Sequence, residues 1–223
     1  MKVLVVVAHP DDEVLGAGGS IHKLTREGHE VAVATLVNHA AARSHLSSHL
    51  SEEQVQACRL LGIEKGYAAD FPNIKTNTVP HLDMVKFVES CIVDFTPELI
   101  ITHSPAETNI DHRIVSGTVQ AAVRYPQRNE NAVPIKQVWY MESASSTEWS
   151  LDSSLRRFTP NLFVEIGQEG LDMKLRALAL YAGVMRPYPH PRSDEALRGL
   201  AAWRGAQAGC LYAEAFDCVF RKI

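Results

Sequence analysis

Residues 3–13 read Val-Leu-Val-Val-Val-Ala-His-Pro-Asp-Asp-Glu, an apolar run that changes abruptly into charged residues. Such a dense run of valine and leucine predicts a strand that is buried on both faces, as in a parallel sheet. Pro10 fixes its own φ and favours an extended His9, so the acidic segment is expected to form a stiff bend. The stretch therefore predicts a buried strand whose carboxyl end carries an imidazole and three carboxylates.

Strand and helix patterns alternate through the first 140 residues. Apolar, strand-like runs follow at 31–37, 67–71, 99–102 and 137–141. Helical spacing covers 16–28, 51–61, 82–95 and 112–124. The alternation predicts an α/β protein with a Rossmann-like, doubly wound, mostly parallel sheet and helices on both faces. The pattern weakens beyond Met141, and the whole chain, 1–223, is expected to form one domain.

Local patterns predict both ends of the second helix. Ser51 and Gln54 have the spacing of a capping box, which predicts that a helix begins there. Gly62 is placed to end the same helix. Later in the chain, strands are expected at 162–166 and near 216–220, and helices at 171–182 and 194–204.

Composition and charge exclude several classes of partner. Twenty-two basic and twenty-six acidic residues give a net charge of −4, which argues against a nucleic-acid or anionic-membrane surface. The first apolar stretch ends at Ala8 and is too short for a membrane span or a secretory signal. Four widely spaced cysteines favour free thiols in a reducing cytosol. We expect a cytoplasmic protein, and the sequence leaves open whether it is a monomer or a homo-oligomer.

The acidic bend has the chemistry of a metal site. Three neighbouring carboxylates repel one another unless a cation neutralises them, and His with Asp suits zinc or a similar divalent metal. A carboxylate beyond those that the metal needs can accept a proton from water. The alternative is an exposed acidic helix end favoured by the helix dipole, which explains Glu13 but not His9. The metal interpretation is favoured for that reason.

A second polar cluster, Asn109-Ile110-Asp111-His112, lies just past the fourth predicted strand. In doubly wound sheets, ligands bind outside the carboxyl ends of the strands, where the strand order reverses. If the order is 3-2-1-4-5, the first and fourth strands are neighbours at that point. His9, Asp12 and His112 are then expected to converge and leave a fourth position for water, which is the pattern of a catalytic zinc site.

These residues carry a family resemblance. His9-Pro10-Asp11-Asp12-Glu13, the following Gly16-Ala17-Gly18-Gly19, and Asp111-His112 resemble the LmbE/PIG-L family of zinc-dependent N-deacetylases. Pro189-His190-Pro191-Arg192-Ser193 and Tyr212-Ala213-Glu214-Ala215-Phe216 resemble a bacterial branch associated with sugar nucleotides and surface polysaccharides. The resemblance implies one zinc ion per chain, and a substrate that is an N-acetylated amino sugar, either a sugar nucleotide or a polysaccharide precursor.

The same resemblance implies a role for each site residue. His9, Asp12 and His112 are the metal ligands that it implies, and Asp11 is the general base. Asp111 is expected to orient a ligand or the base without binding the metal itself.

Asn109 departs from the family pattern, because many relatives have a histidine there. An asparagine can donate a hydrogen bond to an oxyanion, but it cannot act as an acid. The acid then comes from Asp11, after that residue has accepted a proton, or from His190, since relatives draw a C-terminal histidine into the site. An exposed loop position between prolines explains His190 equally well. Asn109 and His190 are therefore catalytic candidates.

Two further residues match positions where relatives contact substrate. Arg43 suits a phosphate or a sugar hydroxyl, and Asp70 suits a pair of sugar hydroxyls. A surface charge explains either residue equally well.

Three other functions are alternatives to deacetylation of an amino sugar. A dinucleotide-binding loop would need a third glycine where the chain has Ile21, and the acids would repel a pyrophosphate. A deacetylase of a glucosaminyl thiol-cofactor precursor, carrying malate or inositol, fits the same motifs. A non-catalytic, metal-dependent sugar-binding module is compatible with Asn109, but such a module has no use for the extra carboxylate of Asp11.

Overall fold

The computed structural model describes residues 1–37, 49–130, 132–152, 154 and 157–223. The strands are β1 (Lys2–Val7), β2 (Glu30–Thr35), β3 (Lys65–Ala68), β4 (Leu99–His103), β5 (Gln137–Met141), β6 (Leu162–Glu165) and β7 (Ala213–Arg221). The helices are α1 (Asp12–Arg26), α2 (Leu50–Leu61), α3 (His81–Phe95), α4 (Ile110–Ala122), α5 (Tyr125–Arg128), α6 (Gly167–Leu178) and α7 (Asp194–Ala208). A short 3₁₀ turn, Thr76–Thr78, precedes α3.

Strand β1 lies inside the sheet, between β2 and β4. The strand order is β3-β2-β1-β4-β5-β7-β6, and β1 to β5 all run parallel. This order confirms the predicted α/β fold, and it meets the condition, a strand order of 3-2-1-4-5, on which the expected convergence of His9, Asp12 and His112 depends. Strand β7 runs antiparallel to both β5 and β6, so the sheet is mostly rather than wholly parallel.

Alternate side chains of β1 enter two separate cores. Val3 and Val5 pack in the core that includes residues of α1, α2 and α6. Leu4 and Val6 pack in the core on the other face, with residues of α3 and α4. Because helices cover both faces of the sheet, all four side chains are fully buried. The apolar run is therefore a strand buried on both faces, as predicted.

Helix α1 begins at Asp12, earlier than the predicted start at Gly16. Asp11 precedes it with a φ of 110°, which is rare for a residue that has a side chain. Asp12 and Glu13 thus belong to the first helical turn, where the helix dipole favours carboxylates. Both are buried, so the alternative of an exposed acidic helix end is wrong.

Two glycines let α1 lie close to its neighbours. A Cβ atom at Gly16 would overlap Sδ of Met141 on β5. A Cβ at Gly19 would lie 2.7 Å from Cδ1 of Ile166, just past β6. Side chains at these positions would push the helix outward, and its first turn would move with it. The glycines therefore help to place the acidic turn against the end of the sheet.

The start of α2 differs from the prediction, whereas its end agrees with it. The capping box is wrong, because the helix begins at Leu50, and His49 occupies the N-cap position without a side-chain capping bond. Gln54 instead donates from Nε2 to Glu13 Oε2 at 3.1 Å. Gly62 ends the helix with a φ of 83°, as predicted.

The elements beyond Met141 follow the expected order of strand, helix, helix and strand. Helix α7 continues past the predicted end at Arg204, to Ala208. Within the described ranges, no helix is both long enough and apolar enough to cross a membrane.

Candidate metal centre

The polar residues selected from the sequence meet at the carboxyl ends of β1 and β4. These strands are adjacent, with Val6 opposite Thr102 near their ends. His9 follows Ala8 just past the end of β1, Asp12 begins α1, and His112 lies in the first turn of α4. The crossover between neighbouring parallel strands therefore brings together side chains that are one hundred residues apart in sequence.

The structure places the three predicted metal ligands around one point. Asp12 Oδ2 lies 3.3 Å from His9 Nδ1 and 3.3 Å from His112 Nε2. One donor atom from each of the three residues lies within 4.8 Å of the others. Asp12 and His112 are each 1% exposed, and His9 is partly buried. Two imidazoles and one carboxylate in this arrangement match the ligand set of a catalytic zinc ion.

Carboxylates hold the outer nitrogen of each imidazole. His9 Nε2 lies 3.0 Å from Asp111 Oδ2, and His112 Nδ1 contacts Glu107 Oε2. Asp111 is itself fixed, since it accepts from the backbone N of Ile74 at 2.7 Å and from Thr76 Oγ1 at 2.6 Å. A carboxylate on the outer nitrogen fixes the ring and its tautomer, and leaves the inner nitrogen for a metal.

The electrostatics of the three residues also favour a cation. Burial acts to lower the pKa of His9, but hydrogen bonds to Asp111 and Asp12 outweigh it and raise the pKa to about 9. Burial opposes protonation of His112 as well, yet the charges of Asp12 and Glu107 raise its pKa to about 10. The carboxylates around both imidazoles therefore favour positive charge at this point, which a divalent cation would also supply. The donor set fits zinc.

A second group of candidate ligands, His103, Glu107 and His112, is also close enough to hold an ion. Its two imidazole rings, however, stack with centroids 3.9 Å apart and planes 22° from parallel. A metal lies in the plane of each imidazole that binds it. Two nearly parallel ring planes at this spacing do not meet within bonding distance of both rings, so the two imidazoles cannot bind one ion in this arrangement. His103 Nε2 instead lies 3.0 Å from the Ala8 backbone N, which donates to it. We therefore assign His103 to the support of His112.

Asp11 lies beside the three predicted ligands and has different partners. Its backbone N donates to Glu13 Oε2 at 3.2 Å, and its Oδ2 accepts from Arg192 Nη1 at 3.1 Å. Burial, and then the charge of Asp12, raise the pKa of Asp11 to about 7, while Arg192 acts in the opposite direction. A carboxyl group with a pKa near the working pH is suited to accept and return a proton.

Asn109 and His190 have partners that the sequence does not reveal. Asn109 Oδ1 accepts from the backbone N of Asp111 at 2.9 Å and caps α4, which leaves its amide nitrogen as a donor. His190 Nδ1 accepts from the backbone N of Arg192 at 3.1 Å, and the side chain of Arg192 in turn donates to Asp11.

Of the two predicted substrate contacts, Asp70 is among the described residues and Arg43 is not. Asp70 lies past the end of β3, exposed, in a bridge with Val37 at the same edge of the sheet. Arg43 lies outside the described residues. Both roles stay predictions.

Sequence reasoning missed Glu107, His103 and Arg192. His103 is the last residue of β4, and Glu107 lies between that strand and His112; this position is the one signal that could have suggested them. Arg192 belongs to the C-terminal segment that carries the family resemblance, but in that segment the sequence points to His190 as the catalytic candidate. Its contact with Asp11 joins residues 181 positions apart.

Comparison with known proteins gives the family of the chain. The PIG-L family model, described as GlcNAc-PI de-N-acetylase, matches residues 4–123. The chain belongs to the PIG-L family. The matched part of this PIG-L protein contains His9, Asp11, Asp12 and His112. As a member of a deacetylase family, it is a hydrolytic enzyme.

Relatives of this PIG-L protein include named deacetylases. The diacetylchitobiose deacetylase of Thermococcus kodakarensis is 26% identical over 229 residues, covering 96% of this chain and 81% of that protein. A probable N-acetyl-alpha-D-glucosaminyl L-malate deacetylase of Bacillus cereus is 30% identical over 143 residues, covering 59% and 64%. The solved N,N'-diacetylchitobiose deacetylase of Pyrococcus horikoshii has a TM-score of 0.77 at 23% identity, covering 98% of this chain and 83% of that one. The last likeness shows a shared fold.

Proposed function

We propose that this enzyme removes the acetyl group from an N-acetylated amino sugar and uses one zinc ion held by His9, Asp12 and His112. The observation that carries the proposal is the His-Asp-His group, in which Asp12 and His112 are buried, with a further carboxylate, Asp11, beside it. A purely structural site needs no such carboxylate. The names of the relatives support an acetylated sugar as substrate. We propose a sugar nucleotide or a polysaccharide precursor as its carrier, on the resemblance of the two C-terminal segments.

The residues of the chain divide the work of amide hydrolysis. Bound zinc would supply a Lewis acid that polarises the acetamide carbonyl and lowers the pKa of water. Asp11 accepts a proton from the water that attacks the carbonyl carbon. As the C–N bond breaks, Asp11 returns that proton to the leaving amine. The products are acetate and the free amino sugar.

Asn109 is proposed to stabilise the oxyanion that forms at the carbonyl oxygen. Its side-chain oxygen caps α4, which leaves the amide N–H groups as the part of the side chain that can donate to the substrate. An N–H aimed at a developing oxyanion acts mainly in the transition state and therefore raises kcat. It cannot supply a proton to the amine, which is why that step is assigned to Asp11.

Asn109→Ser separates this role from the helix cap. Serine is a good N-cap, so the fold stability should be retained, whereas alanine would cost about 1 kcal/mol. We expect Asn109→Ser to lower kcat about 100-fold with little change in KM. Asn109→His should remain active, because an imidazole can donate as well. If steady-state kinetics show wild-type kcat for Asn109→Ser, the residue only caps the helix.

A substrate panel tests the proposed function. Acetate release would be measured from zinc-loaded protein with N-acetylglucosamine, diacetylchitobiose, UDP-N-acetylglucosamine and N-acetylglucosaminyl malate. Asp11→Asn, prepared in the same way, controls for contaminating deacetylases. We expect release from a sugar nucleotide or oligosaccharide that depends on Asp11. Folded, zinc-loaded protein that releases no acetate from any N-acetylated sugar would contradict the proposal.

The second candidate is deacetylation of a glucosaminyl malate. It is favoured by the similarity to the Bacillus cereus protein, whose name contains that activity. The same panel separates the candidates, because a preference for the malate glycoside over every other sugar would support this one.

A further inference from the structure

The segment that joins α6 to α7 ends in a rigid turn next to the candidate site. The backbone N of Arg186 donates to the carbonyl of Arg192 at 3.3 Å, and the N of Ser193 donates to the carbonyl of His190 at 2.9 Å. Ser193 is buried, and its Oγ caps α7 by accepting from the N of Ala196. These bonds fix the backbone of Arg192 relative to both the turn and the helix.

The Arg192 side chain reaches from this turn into the site. Nη1 donates to Asp11 Oδ2 at 3.1 Å, and Nε donates to Ser145 Oγ at 2.7 Å. The side chain is 21% exposed. A single guanidinium thus joins the C-terminal turn, the loop after β5 and the turn before α1. Its planar, fork-like donors can hold two acceptors in one fixed geometry, which a lysine cannot do.

His190 holds the other end of the same residue. Its Nδ1 accepts from the backbone N of Arg192, which requires that Nδ1 carry no proton. Burial, followed by the charges of Arg186 and Arg192, lowers the pKa of His190, so the neutral ring is favoured. In this position the imidazole acts as a hydrogen-bond acceptor. Its contact leads to Asp11 through Arg192 rather than to the three predicted ligands.

We propose that Arg192 is a positioning residue that aims the Asp11 carboxylate, and that Ser145 and His190 hold Arg192 for this task. The inference rests on the proposed function, in which Asp11 transfers the proton. Asp11 has an unusual backbone, with φ 110° and ψ −30°, so an ordinary helical rotamer does not fix its carboxylate. Arg192 binds Oδ2 with a charge-assisted hydrogen bond, and Oδ1 is then the oxygen proposed to exchange the proton.

Arg192→Ala tests the role of the guanidinium. We expect kcat to fall about 100-fold, because a misplacement of about 1 Å in a reacting group has an effect of that size. KM and zinc content should stay at their wild-type values, and added guanidinium ion should restore part of kcat. Arg192→Lys should lie between the two. Arg198→Ala is the matched control, since Arg198 on α7 pairs with Asp172 and Asp194 at the surface.

Two variants of His190 separate an acceptor from an acid. In His190→Asn, the amide oxygen can occupy the place of Nδ1 and accept from Arg192, but it cannot deliver a proton. We expect His190→Asn to keep kcat within about twofold of wild type and His190→Ala to lose about tenfold, as a displaced Arg192 implies. Equal, large losses in both variants would assign His190 as the acid and overturn the inference.

The inference can fail while the proposed function stands. If the wild-type enzyme releases acetate and Arg192→Ala is equally active, Asp11 needs no positioning by Arg192. If no acetate is released from any substrate, the proposed function fails instead. A crystal structure of Arg192→Ala then decides the inference independently of activity. A displaced Asp11 carboxylate supports it, and a carboxylate in the same position overturns it.

Discussion

His112→Ala is expected to leave the purified protein without zinc and without deacetylase activity. His112 supplies one of three predicted donor atoms, and its Nε2 lies 3.3 Å from Asp12 Oδ2, which is also 3.3 Å from His9 Nδ1. Two remaining donors do not make a catalytic zinc site. Metal analysis should give about one equivalent of zinc per chain in the wild type, since a catalytic site binds a single ion, and a negligible amount in the variant.

Glu107→Gln provides a graded comparison for the same site. Glutamine keeps the shape of the side chain but removes the charge that holds His112 Nδ1. Loss of such an outer partner is expected to weaken zinc binding about 10- to 100-fold, measured by competition with a chelator. The circular dichroism spectra of both variants should match that of the wild type. Full zinc occupancy in His112→Ala would show that the metal is bound elsewhere.

The fold could be predicted because its strongest signals are local. The run at 3–7 is apolar at every position and rich in valine, which favours a strand covered on both faces. The regular alternation with helices then limits the topology to a parallel sheet with crossovers. A strand order of 3-2-1-4-5 is enough to bring His9 and His112 to neighbouring strand ends. That part of the site follows from topology.

The start of α1 could not be predicted because distant partners decide it. Three adjacent acids usually favour solvent, and the sequence indicated a bend before a later helix. In the fold, the charge of Asp12 is met by His112 and His103, which hold its pKa well below the usual range against the effect of burial. Glu13 accepts from Tyr181 and Gln54. These partners are 41 to 168 residues away, and they let the helix begin inside the acidic stretch.

Gln54 shows how a local pattern can mislead. Its spacing from Ser51 is that of a capping box, yet its side chain bonds to Glu13 and to Thr35. The amide contributes more as a partner of a buried carboxylate than as a cap on an exposed helix end. The same is true of His190. Its place between prolines does not indicate that its ring accepts a hydrogen bond from the backbone N of Arg192.

Asp11→Asn is expected to bind zinc as the wild type does and to lose most of its activity. Asparagine keeps an oxygen that can accept from Arg192 Nη1, so the turn before α1 should be preserved. It cannot accept a proton from water, and kcat should therefore fall by roughly 100- to 10,000-fold. Zinc content and steady-state kinetics would be measured on the same preparation, with Asp83→Asn, an exposed position on α3, as the control.

The pattern of losses in Asp11→Asn distinguishes the two adjacent aspartates. Asp12 shares one oxygen with His9 and His112, whereas the partner of the Asp11 carboxylate is Arg192. If zinc and activity disappear together in Asp11→Asn, Asp11 is a ligand and Asp12 must be the base. If zinc stays and activity is unchanged, neither the base nor the positioning role of Arg192 can be correct. Retained zinc with a low kcat is the one result that fits both the geometry of the three donors and the separate environment of Asp11.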